Sequence, residues 1–139
     1  KGTNWMKYAG ADYITPNLKE INAVLPDPIR NEDAPVEQAA HDVMKRFHLG
    51  SIIVTRSEAG LSLICEGEIK HIPTKAQEVF DVSGAGDTVI AVFAMGIAGG
   101  IAPVASAYLA NLAAGVGVAK LGTYAVSREE LLKALEKEK

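Results

Sequence analysis

The chain has 139 residues, of which 48% are hydrophobic and 22% charged, and its formal net charge is −3. This composition is typical of one globular domain and excludes an intrinsically disordered chain. The slight acidic excess gives no reason to expect nucleic acid or a membrane as a partner. The single cysteine, Cys65, cannot form an internal disulfide. The N-terminal sequence also lacks the apolar segment of a signal peptide. Together, the unpaired cysteine and this N-terminal sequence favour a cytoplasmic protein.

The hydrophobic pattern predicts strands that alternate with helices. Apolar residues at helical spacing indicate the helices, and β-branched runs bounded by Gly or Pro indicate the strands. The predicted elements are, in chain order, a strand at 11–15, a helix at 17–25, a helix at 34–48, a strand at 51–56, a hairpin at 60–72, and helices at 84–98, 103–120 and 127–137. This order is typical of an α/β fold with a mainly parallel sheet.

NLKE, residues 17–20, follows the first strand and Pro16. Asn17 and Glu20 are three residues apart on one helical turn, so both side chains can face one point. An amide and a carboxylate suit a hydrated Mg²⁺ ion, which binds through one or two side chains and keeps water ligands. A helix N-cap beside a solvated charge is the simpler interpretation of these four residues taken alone.

VTRSEAG, residues 54–60, ends a buried strand with small and hydroxyl-bearing residues. Thr55 and Ser57 can donate hydrogen bonds, and Gly60 permits a tight bend. Ligands of open α/β sheets bind beyond the carboxyl ends of the strands, so a ligand contact is expected here. A plain connection from strand to hairpin is an equally good interpretation.

DVSGAGDT, residues 81–88, places small residues and then a carboxylate where a long apolar helix begins. A helix N-terminus exposes unpaired N–H groups, so Gly84, Ala85 and Gly86 would allow an anion to approach the backbone closely. Asp87 would repel a phosphate but could accept the proton of a hydroxyl group. Such amides and such a base are what phosphoryl transfer to an alcohol requires. An ordinary helix start explains the stretch equally well.

Other candidate motifs are weaker. The sequence contains no GxxxxGK[S/T] phosphate-binding loop. Its histidines, His41, His48 and His71, lack the spacing of a metal site, and roles on helix surfaces or strands are expected for them.

In this order, TPNLKE, VTRSEAGLSL, DVSGAGDTVIA and NLAAGVGVAKLGT resemble the C-terminal half of the ribokinase-like (PfkB) carbohydrate kinases, over essentially the whole chain. The similarity is greatest to the heptose 7-phosphate kinase domains of bifunctional ADP-heptose synthases. It rests on TRSE, which has Ser57 where most relatives have a glycine, on QEVFDVSGAGDTVIA and on KLGT. The resemblance implies a ribokinase-like three-layer α/β/α fold. Residues 1–139 would form its nucleotide-binding and catalytic half, and the N-terminal half with most of the sugar contacts would be absent.

The resemblance also implies a role for each matching residue. The implied roles are catalytic base for Asp87, anion hole for Gly84, Ala85 and Gly86, phosphate and Mg²⁺ binding for Asn17 and Glu20 (Glu20 through water), nucleotide contact for Thr55, Ser57, Gly60 and Asn111 (Asn111 in the adenine pocket), and binding of a monovalent cation such as K⁺ for Asp81.

The implied reaction transfers the γ-phosphoryl group of ATP, with Mg²⁺, to a hydroxyl of a sugar phosphate. In the subgroup the product is heptose 1,7-bisphosphate, a precursor of lipopolysaccharide core. Ribose, fructose phosphate and adenosine stay open as acceptors, since most sugar-selecting residues would lie in the other half. A nucleotide-binding module without catalysis is the alternative from another class. A structural fragment that is stable only as a homo-oligomer, through an uncovered edge strand, is a third.

Overall fold

The computed structural model describes residues 2–75 and 79–138, which form two compact units divided after Pro73. The first unit contains the sheet. Its elements are, in chain order, β1 (Tyr13–Ile14), α1 (Leu18–Asn22), α2 (Asp33–Phe47), β2 (Ser51–Thr55), β3 (Leu61–Cys65) and β4 (Glu68–Ile72), with short 3-10 helices at Trp5–Tyr8 and Ser57–Ala59.

The strands form one sheet in the order β1-β2-β3-β4. The pair β1–β2 is parallel, whereas β2–β3 and β3–β4 are antiparallel. The α/β class is confirmed. Contrary to the expectation, however, the sheet of this chain is not mainly parallel. The reason is the length of the connections: residues 56–60 and 66–67 are too short to cross over the sheet, and a parallel neighbour requires a crossover such as α2.

The core of the first unit lies between α2 and one face of the sheet. Val36 and Val43 of α2 pack with Ile52, Val54 and Ile64, and all five side chains are fully buried. Each such side chain contributes roughly 1.5–3 kcal/mol of apolar burial. The core therefore holds β2 rigidly up to its carboxyl end.

Helix α1 is shorter than the 17–25 predicted. It ends at Asn22, whose side-chain oxygen accepts a hydrogen bond from the N–H of Ile29 at 3.0 Å. Pro26 also disfavours a helical conformation at Leu25, the residue before it. The chain therefore turns away from the helix one turn early.

The second unit contains α3 (Ala85–Ala98), α4 (Pro103–Val118) and α5 (Arg128–Glu136), which confirms the three helices predicted after residue 83. Pro103 begins α4 where its missing N–H costs nothing. Ser127 and Glu130 form a capping box at α5. Within residues 2–75 and 79–138, no helix combines the length and the hydropathy needed to span a bilayer.

Candidate active site

The start of α3 presents backbone N–H groups that nothing in the described part of the chain accepts. Gly84 is the N-cap residue, has φ +80°, and supplies no capping side chain. The N–H of Ala85 donates to the Val82 carbonyl, and that of Thr88 donates to the Gly84 carbonyl. Between them, the N–H groups of Gly86 and Asp87 have no acceptor among residues 2–75 and 79–138. These two donors, at the positive end of a 14-residue helix, are suited to an anion.

Asp87 lies in the first turn of α3 and its side chain is exposed. Gly86 beside it is also exposed, and a Cβ at that position would meet no atom within 4 Å. The carboxylate is therefore accessible to an incoming hydroxyl next to the unpaired amides. Of the predicted anion hole, Gly86 presents an unpaired N–H, whereas the N–H of Ala85 is already donated to the Val82 carbonyl. The roles of anion hole and base stay predictions.

The loop before α3 is fixed by the turn at residues 119–123. The carboxylate of Asp81 accepts the N–H of Ser83 at 2.8 Å and the N–H of Gly122 at 3.2 Å. Hydrogen bonds from Ser83, from its side chain first and then its backbone, hold the pKa of Asp81 below its ordinary value. Both carboxylate oxygens thus bind backbone donors, which is a structural role. The role of Asp81 as a cation ligand stays a prediction.

Gly84 is also held by this turn. A Cβ built on Gly84 would lie 2.9 Å from Cγ2 of Thr123, and the φ of Gly84 is in the left-handed region. Both the conformation and the contact therefore require glycine. Sequence reasoning assigned no individual role to Gly122 or Thr123; the KLGT segment that contains them served only as part of the family resemblance.

In the first unit, two predicted motifs meet at the carboxyl end of β2. Asn17 forms an isolated parallel bridge with Thr55, and the N–H of Thr55 donates to the Pro16 carbonyl at 2.9 Å. The start of α1 is therefore attached directly to the strand end. The structure brings NLKE and the strand-end turn together where α/β sheets bind ligands.

Asn17 and Glu20 form a capping box. Oδ1 of Asn17 accepts the N–H of Glu20 at 2.8 Å, and Oε2 of Glu20 accepts the N–H of Asn17 at 2.9 Å. The helix-cap interpretation is therefore confirmed, and the Mg²⁺ role stays a prediction. Across the described residues, no three His, Cys, Asp or Glu side chains form a cluster typical of a direct metal site. Binding of a hydrated Mg²⁺ through Glu20 needs no such cluster, so the donor set fits.

The turn after β2 has an unusual backbone. Ser57 has φ +52°, and Gly60 has φ +82°. The turn is closed by a hydrogen bond from the N–H of Arg56 to the Gly60 carbonyl at 2.8 Å and one from the N–H of Gly60 to the Ser57 carbonyl at 3.0 Å. A non-glycine residue in the left-handed region is strained. A glycine at this position would avoid that strain.

Asn111, predicted to line the adenine pocket, lies in α4 and is buried. The predicted residues therefore fall into two sets. The first unit holds Asn17, Glu20, Thr55, Ser57 and Gly60, and the second holds Asp81, Gly84, Ala85, Gly86, Asp87 and Asn111.

Comparisons with known proteins show the family to which the chain belongs. The family model described as pfkB family carbohydrate kinase matches residues 5–130. Bifunctional protein HldE of Trichlorobacter lovleyi is 50% identical over 139 residues, which cover 99% of this chain and 28% of that protein.

Solved structures show the same fold. Ribokinase of Thermotoga maritima is 30% identical, with a TM-score of 0.81 over 90% of this chain and 42% of its own. Ribokinase of Arabidopsis thaliana, solved with ribose and ATP, is 25% identical, with a TM-score of 0.81 over 90% of this chain and 41% of its own. The chain therefore spans less than a third of the bifunctional relative and less than half of each ribokinase.

Proposed function

Because the chain belongs to the pfkB family of carbohydrate kinases, we propose that it forms the nucleotide-binding and catalytic half of a sugar-phosphate kinase domain. Its share of the ribokinases, 42% and 41%, agrees with half of such a domain. The reaction proposed is transfer of the γ-phosphoryl group of ATP to a hydroxyl of a sugar phosphate. The remaining part of the domain would supply most of the contacts to the sugar.

The observation that supports this function most strongly is the start of α3. The unpaired N–H groups of Gly86 and Asp87 can stabilise negative charge on the transferring phosphoryl group. The exposed Asp87 carboxylate can accept the proton of the attacking hydroxyl. Positioning and charge stabilisation supply most of the catalysis in phosphoryl transfer, so these groups can contribute directly to the chemical step once donor and acceptor are bound.

The donor is proposed to be ATP with Mg²⁺. Thr55, Ser57 and Gly60 would contact the nucleotide at the end of β2, and Asn111 would contact the adenine. Asn17 and Glu20 would hold the hydrated Mg²⁺, whose contribution is to neutralise phosphate charge. Asp81 remains the candidate for a monovalent cation, although its oxygens already accept two N–H groups.

The acceptor is proposed to be heptose 7-phosphate, which would give heptose 1,7-bisphosphate. The support is the sequence resemblance at TRSE together with the 50% identity to Bifunctional protein HldE of Trichlorobacter lovleyi. A panel of sugar phosphates, with ribose, fructose phosphate and adenosine as rivals, tests this choice. The assay requires a completed kinase, in which this chain replaces the matching segment of the Trichlorobacter lovleyi protein.

The decisive experiment compares Asp87→Asn with Asp27→Asn, an exposed aspartate in the loop after α1. Calorimetry of this chain with ATP and Mg²⁺ should show that both variants still bind, with no loss of affinity relative to wild type. In the completed kinase, Asp87→Asn should lower kcat by about 10²- to 10⁴-fold, the usual contribution of a general base, and Asp27→Asn should not. Full activity of Asp87→Asn would show that another group is the base. If wild type and both variants bind ATP but none turns over in the completed kinase, the alternative of a nucleotide-binding module without catalysis would be supported.

A further inference from the structure

Arg56 is a buried charged residue between two of the residues proposed to bind the nucleotide. Its side chain is 3% exposed, while Ser57, the next residue, is exposed. Nη1 of Arg56 donates to Oδ1 of Asp33 at 2.6 Å and to Oγ of Ser62 at 2.9 Å. Nε donates to Oδ1 of Asn31 at 2.8 Å. The guanidinium thus joins the turn to two other segments of the first unit, the chain at 31–33 where α2 begins and strand β3.

The network continues beyond the guanidinium. Nδ1 of His71 lies 2.7 Å from Oγ of Ser62 and 3.3 Å from Nη1 of Arg56, and its Nε2 lies 2.7 Å from Oε1 of Glu37. In the described part of the chain, no buried side-chain nitrogen or oxygen lacks a hydrogen-bond partner. A fully satisfied buried network of this kind holds its members in one arrangement.

Arg56 also fixes the backbone of the turn. Its carbonyl accepts Nδ2 of Asn31 at 3.1 Å and the N–H of Ala59 at 3.1 Å, and its own N–H donates to the Gly60 carbonyl at 2.8 Å. Asn31 therefore binds Arg56 twice, once through the side chain and once through the backbone. The strained φ of Ser57 persists only if its surroundings fix the turn from several sides, and this clamp does so.

We propose that Arg56, clamped by Asn31, is a positioning residue that holds the turn at 56–60 in the shape that binds the nucleotide. The proposal rests on the nucleotide-binding role given above to Thr55, Ser57 and Gly60. Burial of a charge carries a desolvation cost that an apolar side chain would avoid. What an apolar side chain would not provide is a fork of donors directed at Asn31, Asp33 and Ser62. Fixing the direction of the turn is thus the function that accounts for an arginine here.

The test uses Asn31→Ala, which removes both contacts to Arg56 from a loop residue. The matched control is Val43→Ala, a core change in α2 that lowers stability without touching the turn. Calorimetric titration with ATP and Mg²⁺ should show the Kd for ATP raised about 10- to 100-fold in Asn31→Ala, the range seen when groups that orient a metal ligand are removed. The Kd of Val43→Ala should be unchanged. Arg56→Lys, which keeps the charge without the fork, should behave like Asn31→Ala.

A second readout needs no nucleotide. Amide hydrogen exchange at Arg56 and Gly60, measured against the amides of β2, should accelerate in Asn31→Ala and not in Val43→Ala. Unchanged exchange, or an equal loss of affinity in both variants, would overturn the positioning role. If the wild-type chain fails to bind ATP, that result counts against the proposed function, and the exchange data still decide the role of Arg56.

Discussion

Gly96 of α3 lies against Ser106 of α4, so that a Cβ on the glycine would stand 2.5 Å from the serine Oγ and 2.8 Å from its Cβ. Both residues are buried, so neither helix can move aside without opening the core of the second unit. Gly96→Ala should therefore lower the free energy of unfolding by about 1–3 kcal/mol through overpacking. Denaturant unfolding measures this change.

The matched control for Gly96→Ala is Gly86→Ala in the same helix. A Cβ at Gly86 would meet nothing within 4 Å. That variant should gain roughly 0.5–1 kcal/mol, the usual advantage of alanine over glycine within a helix. Equal stability of the two variants would show that α3 and α4 are not packed as closely as the distances at Gly96 and Ser106 indicate.

Gly84→Ala should destabilise the second unit for two separable reasons. The left-handed φ of +80° costs an L-residue about 1–2 kcal/mol, and the new Cβ would also overlap Cγ2 of Thr123 at 2.9 Å. Adding Thr123→Ser removes Cγ2, so the double variant should regain only the stability lost through the overlap with Thr123. Chemical denaturation of the two single variants and the double variant measures the coupling. Strict additivity would contradict the contact between Gly84 and Thr123.

Ser57→Gly should stabilise the chain by up to about 1 kcal/mol. Glycine adopts a φ of +52° without the strain that an L-residue experiences there, although part of the gain is offset by the greater freedom of glycine in the unfolded chain. Ser57→Ala keeps the strain and should bring no such gain. Thermal unfolding of both variants decides the matter, and a melting temperature of Ser57→Gly below that of Ser57→Ala would refute the assignment of strain.

Helix α5 should lose stability in acid. The N–H of Ser127 and the hydroxyl of Tyr124 donate to Glu130, and these bonds, the backbone one first, lower its pKa from 4.5 to about 2. Because the folded pKa is the lower one, this contribution to stability is complete above pH 4.5 and is lost as the pH falls from 4.5 to 2. Titration of the Glu130 carboxyl by NMR should show a midpoint near 2.

The variant that checks this assignment is Glu130→Gln. It removes the titrating carboxylate and should flatten the pH dependence of unfolding between pH 4.5 and 2, while Glu129→Gln, its exposed neighbour, should leave it unchanged. A midpoint for Glu130 at its ordinary value, near 4.5, would show that the capping box of α5 does not persist in solution.

Local signals predicted the helices well. The helices predicted at 103–120 and 127–137 begin where expected, because Pro103 and the pair of Ser127 with Glu130 are start signals that depend only on residues close in sequence. The direction of β3 relative to β2 was not predicted. The alternation of strands and helices favoured parallel pairing, whereas the short connection at 56–60 imposes an antiparallel pair.

The candidate site divides in the same way. The glycines and the carboxylate of GAGD are contiguous, so their placement at the start of α3 followed from sequence. The role of Arg56 could not be predicted from the sequence. Its partners Asn31, Ser62 and His71 lie 25, 6 and 15 residues away and meet it only in the folded chain. His71 was expected to have a strand role; it does lie in β4, where it also joins this network.

Because the N-cap of α3 is Gly84, no side chain of the N-cap residue competes with an external anion for the amides of this helix. Asn17 and Ser127 cap α1 and α5 with their own side-chain oxygens, whereas Gly84 offers none. A serine or aspartate N-cap in the extended conformation of Asn17 and Ser127 would place an acceptor permanently beside the amides of Gly86 and Asp87. Such a side chain would act as a tethered inhibitor, since every incoming phosphate would have to displace a group held at high effective concentration. By leaving its helix uncapped, the protein keeps these donors available to an external anion.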